Sequence, residues 1–186
     1  MPESNAIGET AEPARVFDSL FASHHEAVFR YCVRRLGPSD AEDATADVFA
    51  IAWRRLDEVP PGDATRAWLI GVAYKVVGNR FRSRRRRARL AKRIESEQFT
   101  RREDPPLSDP ETHLVQVALR KLSATDQELI RLASWDGLSR TEIGEVLGIR
   151  VNAVDQRLHR ARARFKTHIG HLISASQESS PEEASI

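Results

Sequence analysis

The sequence lacks the features that mark secreted and membrane-spanning proteins. It contains one cysteine in 186 residues, which excludes an intrachain disulfide and is typical of a reducing compartment. No apolar run approaches the roughly 20 residues that a transmembrane helix needs, and the polar N-terminus does not resemble a signal peptide. We therefore expect a cytoplasmic protein with no membrane insertion.

Charge is distributed unevenly along the chain, although the net charge is only +2. Residues 36–65 contain seven acidic residues and two arginines, whereas residues 74–93 contain ten lysines or arginines and no acid. Separate acidic and basic segments indicate two partners of different charge.

Four acids of the first segment could in principle ligate Mg²⁺: Asp40, Glu42, Asp43 and Asp47. Acids at the start of a helix more often interact with its dipole. His24 and His25 are adjacent, so they do not share a helix face as paired metal ligands would. We therefore expect no metal site and no cofactor, and we expect Cys32 to be a core residue.

Hydrophobic periodicity predicts helices and no strands. The predicted fold class is all-α, with two small helical domains at residues 14–93 and 112–170, joined by a flexible linker at 94–111. Polar composition predicts disorder at residues 1–13 and 171–186. Thr65 is a predicted cap of a long cationic helix. Three capping boxes are predicted to start other helices: Ser39–Glu42, Thr125–Glu128 and Ser139–Glu142.

Residues 138–166 have the pattern of a DNA-binding helix-turn-helix. The capping box at Ser139 opens a short helix, and Gly148 permits the tight turn after it. The second helix is densely cationic, and its apolar residues recur at helical spacing: Val154, Leu158, Ala161 and Phe165. Because these signals coincide, we interpret the second helix as the one that binds DNA.

Three segments in this order resemble bacterial sigma factors. Residues 40–56 (DAEDATADVFAIAWRRL) are similar to the acidic helix that binds core RNA polymerase. Residues 66–87 are similar to the helix that melts promoters and reads the −10 element. Residues 122–166 resemble the domain that reads the −35 element. The order and the linker match the extracytoplasmic-function group, which keeps only sigma regions 2 and 4.

The resemblance implies that residues 14–93 are region 2 and residues 112–170 are region 4. It implies a protein with no catalytic activity that binds the β and β′ subunits of core RNA polymerase, directs the enzyme to promoter DNA and helps to open the strands. Members of this group commonly have an anti-sigma factor, which makes such a protein a further candidate partner.

Candidate site residues follow from the resemblance and from side-chain chemistry. The polymerase-binding candidates are Asp43, Asp47, Phe49 and Trp53, and core packing is an equally good interpretation of the two aromatic residues. The candidates for −10 recognition and melting are Tyr74, Lys75, Asn79, Arg80, Arg82, Arg84 and Arg85. The candidates for −35 recognition are Arg150, Asn152, Gln156, Arg157 and Arg160. We interpret Trp68, which aligns with apolar positions, as core.

Asp155 departs from the family pattern, in which a lysine or another non-acidic residue is usual at this place. A carboxylate near phosphates is unfavourable unless it accepts a hydrogen bond from a base donor. Asp155 therefore either reads a base or points away from the DNA.

Three other functions remain as alternatives. A stand-alone helix-turn-helix regulator would bind a palindrome without polymerase, a Mg²⁺-dependent nuclease would use the acid cluster, and an RNA-binding protein would use the arginine-rich helix. None of them accounts for the acidic helix and both basic helices together.

Overall fold

The structure is a computed structural model that describes residues 6–94 and 110–178, with side chains described for residues 12–89 and 113–175. The described residues form seven α-helices and one 3₁₀ turn: α1 (Ala6–Leu36), α2 (Pro38–Arg54), the turn (Leu56–Glu58), α3 (Ala64–Ile94), α4 (Pro110–Arg120), α5 (Ala124–Ser134), α6 (Arg140–Leu147) and α7 (Val151–Glu178).

The chain divides into two compact units, Met1–Arg101 and Arg102–Ile186, which we call the N-terminal and C-terminal domains. The predicted all-α fold with two helical domains is confirmed. The predicted linker falls almost wholly on residues 95–109, which lie outside the described residues.

In the N-terminal domain α1, α2 and α3 pack against one another. Each helix contributes apolar residues at intervals of three or four, and these side chains are almost fully buried: Val28, Tyr31, Cys32, Ala44, Val48, Ala52, Leu69, Ile70 and Ala73. The predicted burial of Cys32 is confirmed. Burial raises the pKa of its thiol, because a thiolate would lose its hydration in the core.

Two helix starts in this domain differ from the prediction. α2 begins at Pro38, and its N-cap is Gly37 with a φ of 82° and no side-chain cap. The predicted capping box at Ser39 is wrong, because proline, which lacks an N–H and has its φ preset, already occupies the first helical position. Thr65 does not cap α3 either. It lies inside the first turn, where its hydroxyl donates to the Pro60 carbonyl at 2.6 Å.

α1 begins at Ala6, so residues 6–13, predicted to be disordered, are helical. Pro13 lies within the helix, where it removes one backbone hydrogen bond. The prediction gave the helix-breaking effect of proline too much weight against the helix formers around it, Ala11 and Glu12.

The C-terminal domain is built on α7, which packs against α4, α5 and α6. Its core is mostly aliphatic: Leu119, Leu129, Leu132, Ile143, Val154, Leu158 and Ala161. Ser123 caps α5 by accepting from the Asp126 N–H, so the capping box predicted at Thr125 is wrong. Residues 171–178, predicted to be disordered, continue α7, and residues 179–186 lie outside the described part of the chain.

Candidate functional site

The exposed part of α2 carries two carboxylates and, near its C-terminal end, an aromatic ring. Asp43 and Asp47 lie one turn apart and are both exposed, and Trp53 is 47% exposed near the C-terminal end of the helix. α2 buries its opposite face against α1 and α3. Of the residues that the sequence proposed for polymerase contact, Asp43, Asp47 and Trp53 are therefore exposed on α2, with one exception to this pattern.

The exception is Phe49, which is only 3% exposed. Its ring lies 4.7 Å from that of Phe21 and 6.3 Å from that of Phe17, measured between centroids, and His25 stacks on it at 6.0 Å. The burial of this ring favours the core-packing interpretation of Phe49 over polymerase contact. Trp53 packs edge-on against Phe17 at 5.1 Å and keeps an exposed side.

Two ion pairs join the acidic helix α2 to the cationic helix α3. The Arg80 guanidinium donates to the Asp47 carboxylate at 2.5 Å, and Arg84 contacts Asp40. The acidic and basic segments were expected to act on separate partners. The structure instead brings one predicted polymerase contact, Asp47, against one predicted DNA contact, Arg80.

The rest of α3 presents polar and aromatic groups outward. Among the predicted −10 and melting residues, Arg80 is half-buried. The others are exposed: Tyr74, Lys75, Asn79, Arg82, Arg84 and Arg85. Arg82 donates to the Asn79 side-chain oxygen, and Tyr74 is 37% exposed. Trp68 is half-buried, with the Arg55 guanidinium 5.9 Å from its ring centroid.

The helix-turn-helix has the geometry that the sequence predicted. Ser139 and Glu142 form a complete capping box at the start of α6. Gly148 ends α6 in the left-handed region, with φ 66° and ψ 36°. The sequence reasoning missed Gly144, at which a Cβ would lie 2.8 Å from the Ile149 carbonyl oxygen. This close approach lets the turn fold back on α6.

α7 buries one stripe and exposes the rest of its surface. Val154, Leu158 and Ala161 are buried, and Phe165 is half-buried. All five predicted −35 residues are exposed on or just before this helix: Arg150, Asn152, Gln156, Arg157 and Arg160. The Arg160 Nε donates to the Gln156 carbonyl at 3.2 Å, which ties this side chain to its own helix.

Two further ion pairs hold α7 to its neighbours. Asp155 accepts from Arg140 at the start of α6, so its carboxylate is engaged within the protein. Asp126 of α5 accepts from Arg164 Nη1 at 2.5 Å. The sequence reasoning missed both pairs, since partners 15 and 38 residues apart leave no local signal.

The described histidines of α1 act in packing rather than as a pair. His25 belongs to the aromatic cluster around Phe49. Burial, and secondarily the positive charge of Arg66, lower the pKa of His24 below its ordinary value of 6.5, because both disfavour the imidazolium. Among residues 6–94 and 110–178, each helix is too short or too polar to cross a bilayer.

Comparison with known families accounts for both domains. Residues 20–87 match the family described as Sigma-70 region 2, and residues 112–165 match the one described as Sigma-70, region 4. The two matches fall on the α1–α3 domain and on the domain that contains the helix-turn-helix.

Several sigma factors are similar over most of their length. CnrH from Cupriavidus metallidurans is 32% identical over 176 residues, which cover 88% of this chain and 90% of CnrH. NccH from Alcaligenes xylosoxydans is 31% identical over 169 residues, covering 87% of this chain and 88% of NccH. SigW from Bacillus subtilis, an ECF RNA polymerase sigma factor, is 26% identical with coverages of 84% and 90%.

Solved structures agree with this result. The structure of CnrH in complex with the cytosolic domain of CnrY has a TM-score of 0.59 and 30% identity, covering 87% of this chain and 90% of that one. The sigma factor RpoE of Bartonella quintana, solved in complex with the anti-sigma factor NepR, has a TM-score of 0.61 at 21% identity, with coverages of 88% and 97%. The second likeness concerns the fold alone.

A helical protein with an acidic outer face and a cationic helix-turn-helix belongs to the class of DNA-binding transcription proteins. More narrowly, the chain belongs to the sigma-70 family of RNA polymerase sigma factors, in the extracytoplasmic-function group. Its function is promoter-directed initiation of transcription. Sigma factors in general are non-enzymatic initiation factors that bind DNA.

Proposed function

We propose that α2 is the surface through which this sigma factor binds core RNA polymerase, on the β and β′ subunits. Asp43 and Asp47 supply negative charge on the outer face, and the exposed side of Trp53 supplies apolar area. Charged groups at the rim of an interface steer association, whereas an aromatic ring that is desolvated in the complex contributes more of the affinity. Phe49 supports this surface from below.

The proposed role of α3 is to bind the −10 element and the opened strand. Tyr74 can stack on an unpaired base, and Lys75 and Asn79 are exposed beside it. The arginines Arg82, Arg84 and Arg85 continue the same helix outward and can contact phosphates. Arg80 joins them only when its ion pair with Asp47 opens.

The proposed role of α7 is to read the −35 element. Asn152 and Gln156 lie in the first two turns of α7, away from the buried stripe, and their amides suit adenine in the major groove. Arg150 precedes the helix and suits phosphate. The observation that carries this proposal is the burial of Val154, Leu158 and Ala161, which turns these polar residues outward.

We further propose that the chain has no enzymatic activity and acts in the cytoplasm, where its polymerase partner is found. CnrH was solved with the cytosolic domain of CnrY. By analogy, we propose that a protein of the anti-sigma type holds this chain away from polymerase.

The test is run-off transcription with core polymerase and genomic fragments, with and without the protein. Asp43→Lys and Asp47→Lys together should weaken association with core by about fivefold or more, as rim charges do. Glu26→Lys is the matched control, since it reverses an exposed carboxylate of α1 in the same domain.

Arg80→Ala tests the proposed DNA contact of Arg80 separately from the proposed polymerase contact of Asp47. It breaks the pair without altering the acidic face, so core affinity should hold while promoter opening weakens.

The double lysine variant at Asp43 and Asp47 could also contradict the proposal. If its affinity for core polymerase is unchanged and its helicity is intact, α2 is not the core-binding surface.

A further inference from the structure

The C-terminal domain has a cleft that the assignment above leaves unexplained. It is an open cleft of about 340 Å³ between α5 and α7, lined by Thr125, Asp126, Arg157, Arg160 and Arg164. The three arginines are spaced by three and four residues and therefore follow one flank of α7. One acid and three guanidinium groups give the lining a net positive charge.

The ion pair in this cleft neutralises only one of the three guanidinium groups. Asp126 is 8% exposed, and its Oδ2 lies 2.5 Å from Arg164 Nη1. Arg157 and Arg160 line the same cleft, and among the residues that the structure describes Asp126 supplies its only lining carboxylate. An anion that enters the cleft therefore meets two guanidinium groups whose charge is not neutralised at close range.

The position of the cleft indicates the kind of anion. A recognition helix enters the major groove alone, and base edges are accessible only from within the groove. This cleft is shared between α7 and the first turn of α5, so it lies to one side of the helix that enters. The groups beside a major groove are the backbone phosphates of its edge.

The conformation of Arg160 favours phosphate over a base. Its Nε donates to the Gln156 carbonyl at 3.2 Å, so the guanidinium is held along the helix rather than extended from its tip. Bidentate reading of guanine needs two N–H groups directed outward together. A phosphate oxygen can be bound by single N–H groups of neighbouring side chains.

We propose that this cleft binds a backbone phosphate of the promoter at the edge of the −35 element. In this arrangement Arg157 and Arg160 bind the phosphate oxygens, the Thr125 hydroxyl is within the same cleft as a further donor, and Asp126 is a positioning residue that holds Arg164 aside. The inference rests on the proposed reading of the −35 element by α7, and it assigns two of the −35 candidates, Arg157 and Arg160, to phosphate binding.

The experiment measures promoter affinity of the holoenzyme on duplexes in which single phosphates around the −35 element are replaced by neutral methylphosphonates. The wild type should lose about tenfold in affinity at one or two adjacent positions, the scale expected for a charge-assisted hydrogen bond. Arg157→Gln with Arg160→Gln should bind the unmodified promoter about tenfold more weakly and should be insensitive to neutralisation at those positions. Its dependence of log K on log salt should be less steep by about one.

Two other variants make the result specific. Arg162→Gln, on the opposite flank of α7 beside Asp155, should stay sensitive at the positions that the double variant loses. Asp126→Asn should bind several-fold more tightly with a steeper salt dependence, because it frees Arg164 toward the cleft. A carboxylate with only a structural role would give weaker binding and an unchanged slope, and that result would overturn the proposal.

Two further outcomes would also overturn the proposal. If the double variant keeps the wild-type methylphosphonate pattern but changes its preference among −35 base pairs, the two arginines read bases and the phosphate cleft is rejected. If the wild-type chain gives no promoter binding with core polymerase, the proposed function fails and the cleft assignment fails with it.

Discussion

The two domains expose different kinds of surface. Five large apolar side chains are exposed in the described part of the N-terminal domain: Val16, Phe21, Trp53, Tyr74 and Phe81. In the described part of the C-terminal domain three are exposed, Trp135, Val151 and Ile173, and the outer face of α7 is exposed along most of its length and is dominated by arginine and amide side chains. Aromatic rings suit a protein partner or unstacked bases, whereas arginines suit duplex DNA. This difference supports the proposal that the first domain contacts polymerase and opens the strands while the second contacts duplex DNA.

The largest expected effect on stability comes from a comparison of two aromatic residues of α2, one in the core and one at the surface. Phe49→Ala removes a buried ring and should destabilise the protein by about 3–5 kcal/mol. Trp53→Ala removes a half-exposed ring and should cost far less stability while weakening core polymerase binding. Urea unfolding and a core-binding titration on both variants test this.

The reverse pattern, with a stable Phe49→Ala protein that fails to bind core, would show that Phe49 is a contact after all. Helicity measured by circular dichroism is the control for both variants.

The sequence could predict this fold because its main signals are local. Periodic apolar residues predicted the helices, and the complete Ser139–Glu142 capping box and the Gly148 turn are confirmed. The start of α2 was wrong because Gly37–Pro38 outweighs a nearby serine. A cap is decided by backbone geometry that residue type only partly reflects.

The parts of the site that could not be predicted depend on distant partners. Which arginine meets which carboxylate is set by how helices pack, as in Asp47–Arg80 and Asp126–Arg164. The sequence placed both basic helices correctly, but it assigned Arg80 to DNA and gave no sign of the carboxylate that it meets. Burial of Phe49 is a similar case, since its ring contacts α1 residues about 30 positions away.

A pair of glycine substitutions compares the interiors of the two domains. At Gly144 a Cβ would lie 2.8 Å from a backbone oxygen, so Gly144→Ala should cost about 1–3 kcal/mol in the C-terminal domain. At Gly78 in α3 the nearest group is the end of the Arg82 side chain, at 3.9 Å. Gly78→Ala should therefore stabilise its helix by about 0.5–1 kcal/mol. Hydrogen exchange resolved by domain measures each effect, and a tolerated Gly144→Ala would contradict the close turn.

A pair of serine substitutions asks whether the helix starts differ as the structure indicates. Ser139 caps α6 with its side chain, so Ser139→Ala should cost about 1 kcal/mol. Ser39 lies within the first turn of α2 and does not cap it, so Ser39→Ala should change stability by less than about 0.5 kcal/mol. The free energy of unfolding from urea titration distinguishes the two, and equal losses would restore the capping box at Ser39.

The smallest expected effect is a pH dependence of the stability of the N-terminal domain. Burial and the charge of Arg66 lower the pKa of His24 in the folded chain, while the unfolded chain keeps the ordinary value of 6.5. The folded state therefore binds fewer protons, so stability is complete above pH 6.5 and falls as the pH drops through that value toward the lowered pKa. His24→Gln should flatten this slope, and His159→Gln, in the exposed surface of α7, is the matched control. NMR titration of the imidazole gives the direct measurement. A His24 that titrates at or above 6.5 in the folded protein would mean that its ring is solvated and that its environment on α1 is more open than the structure has it.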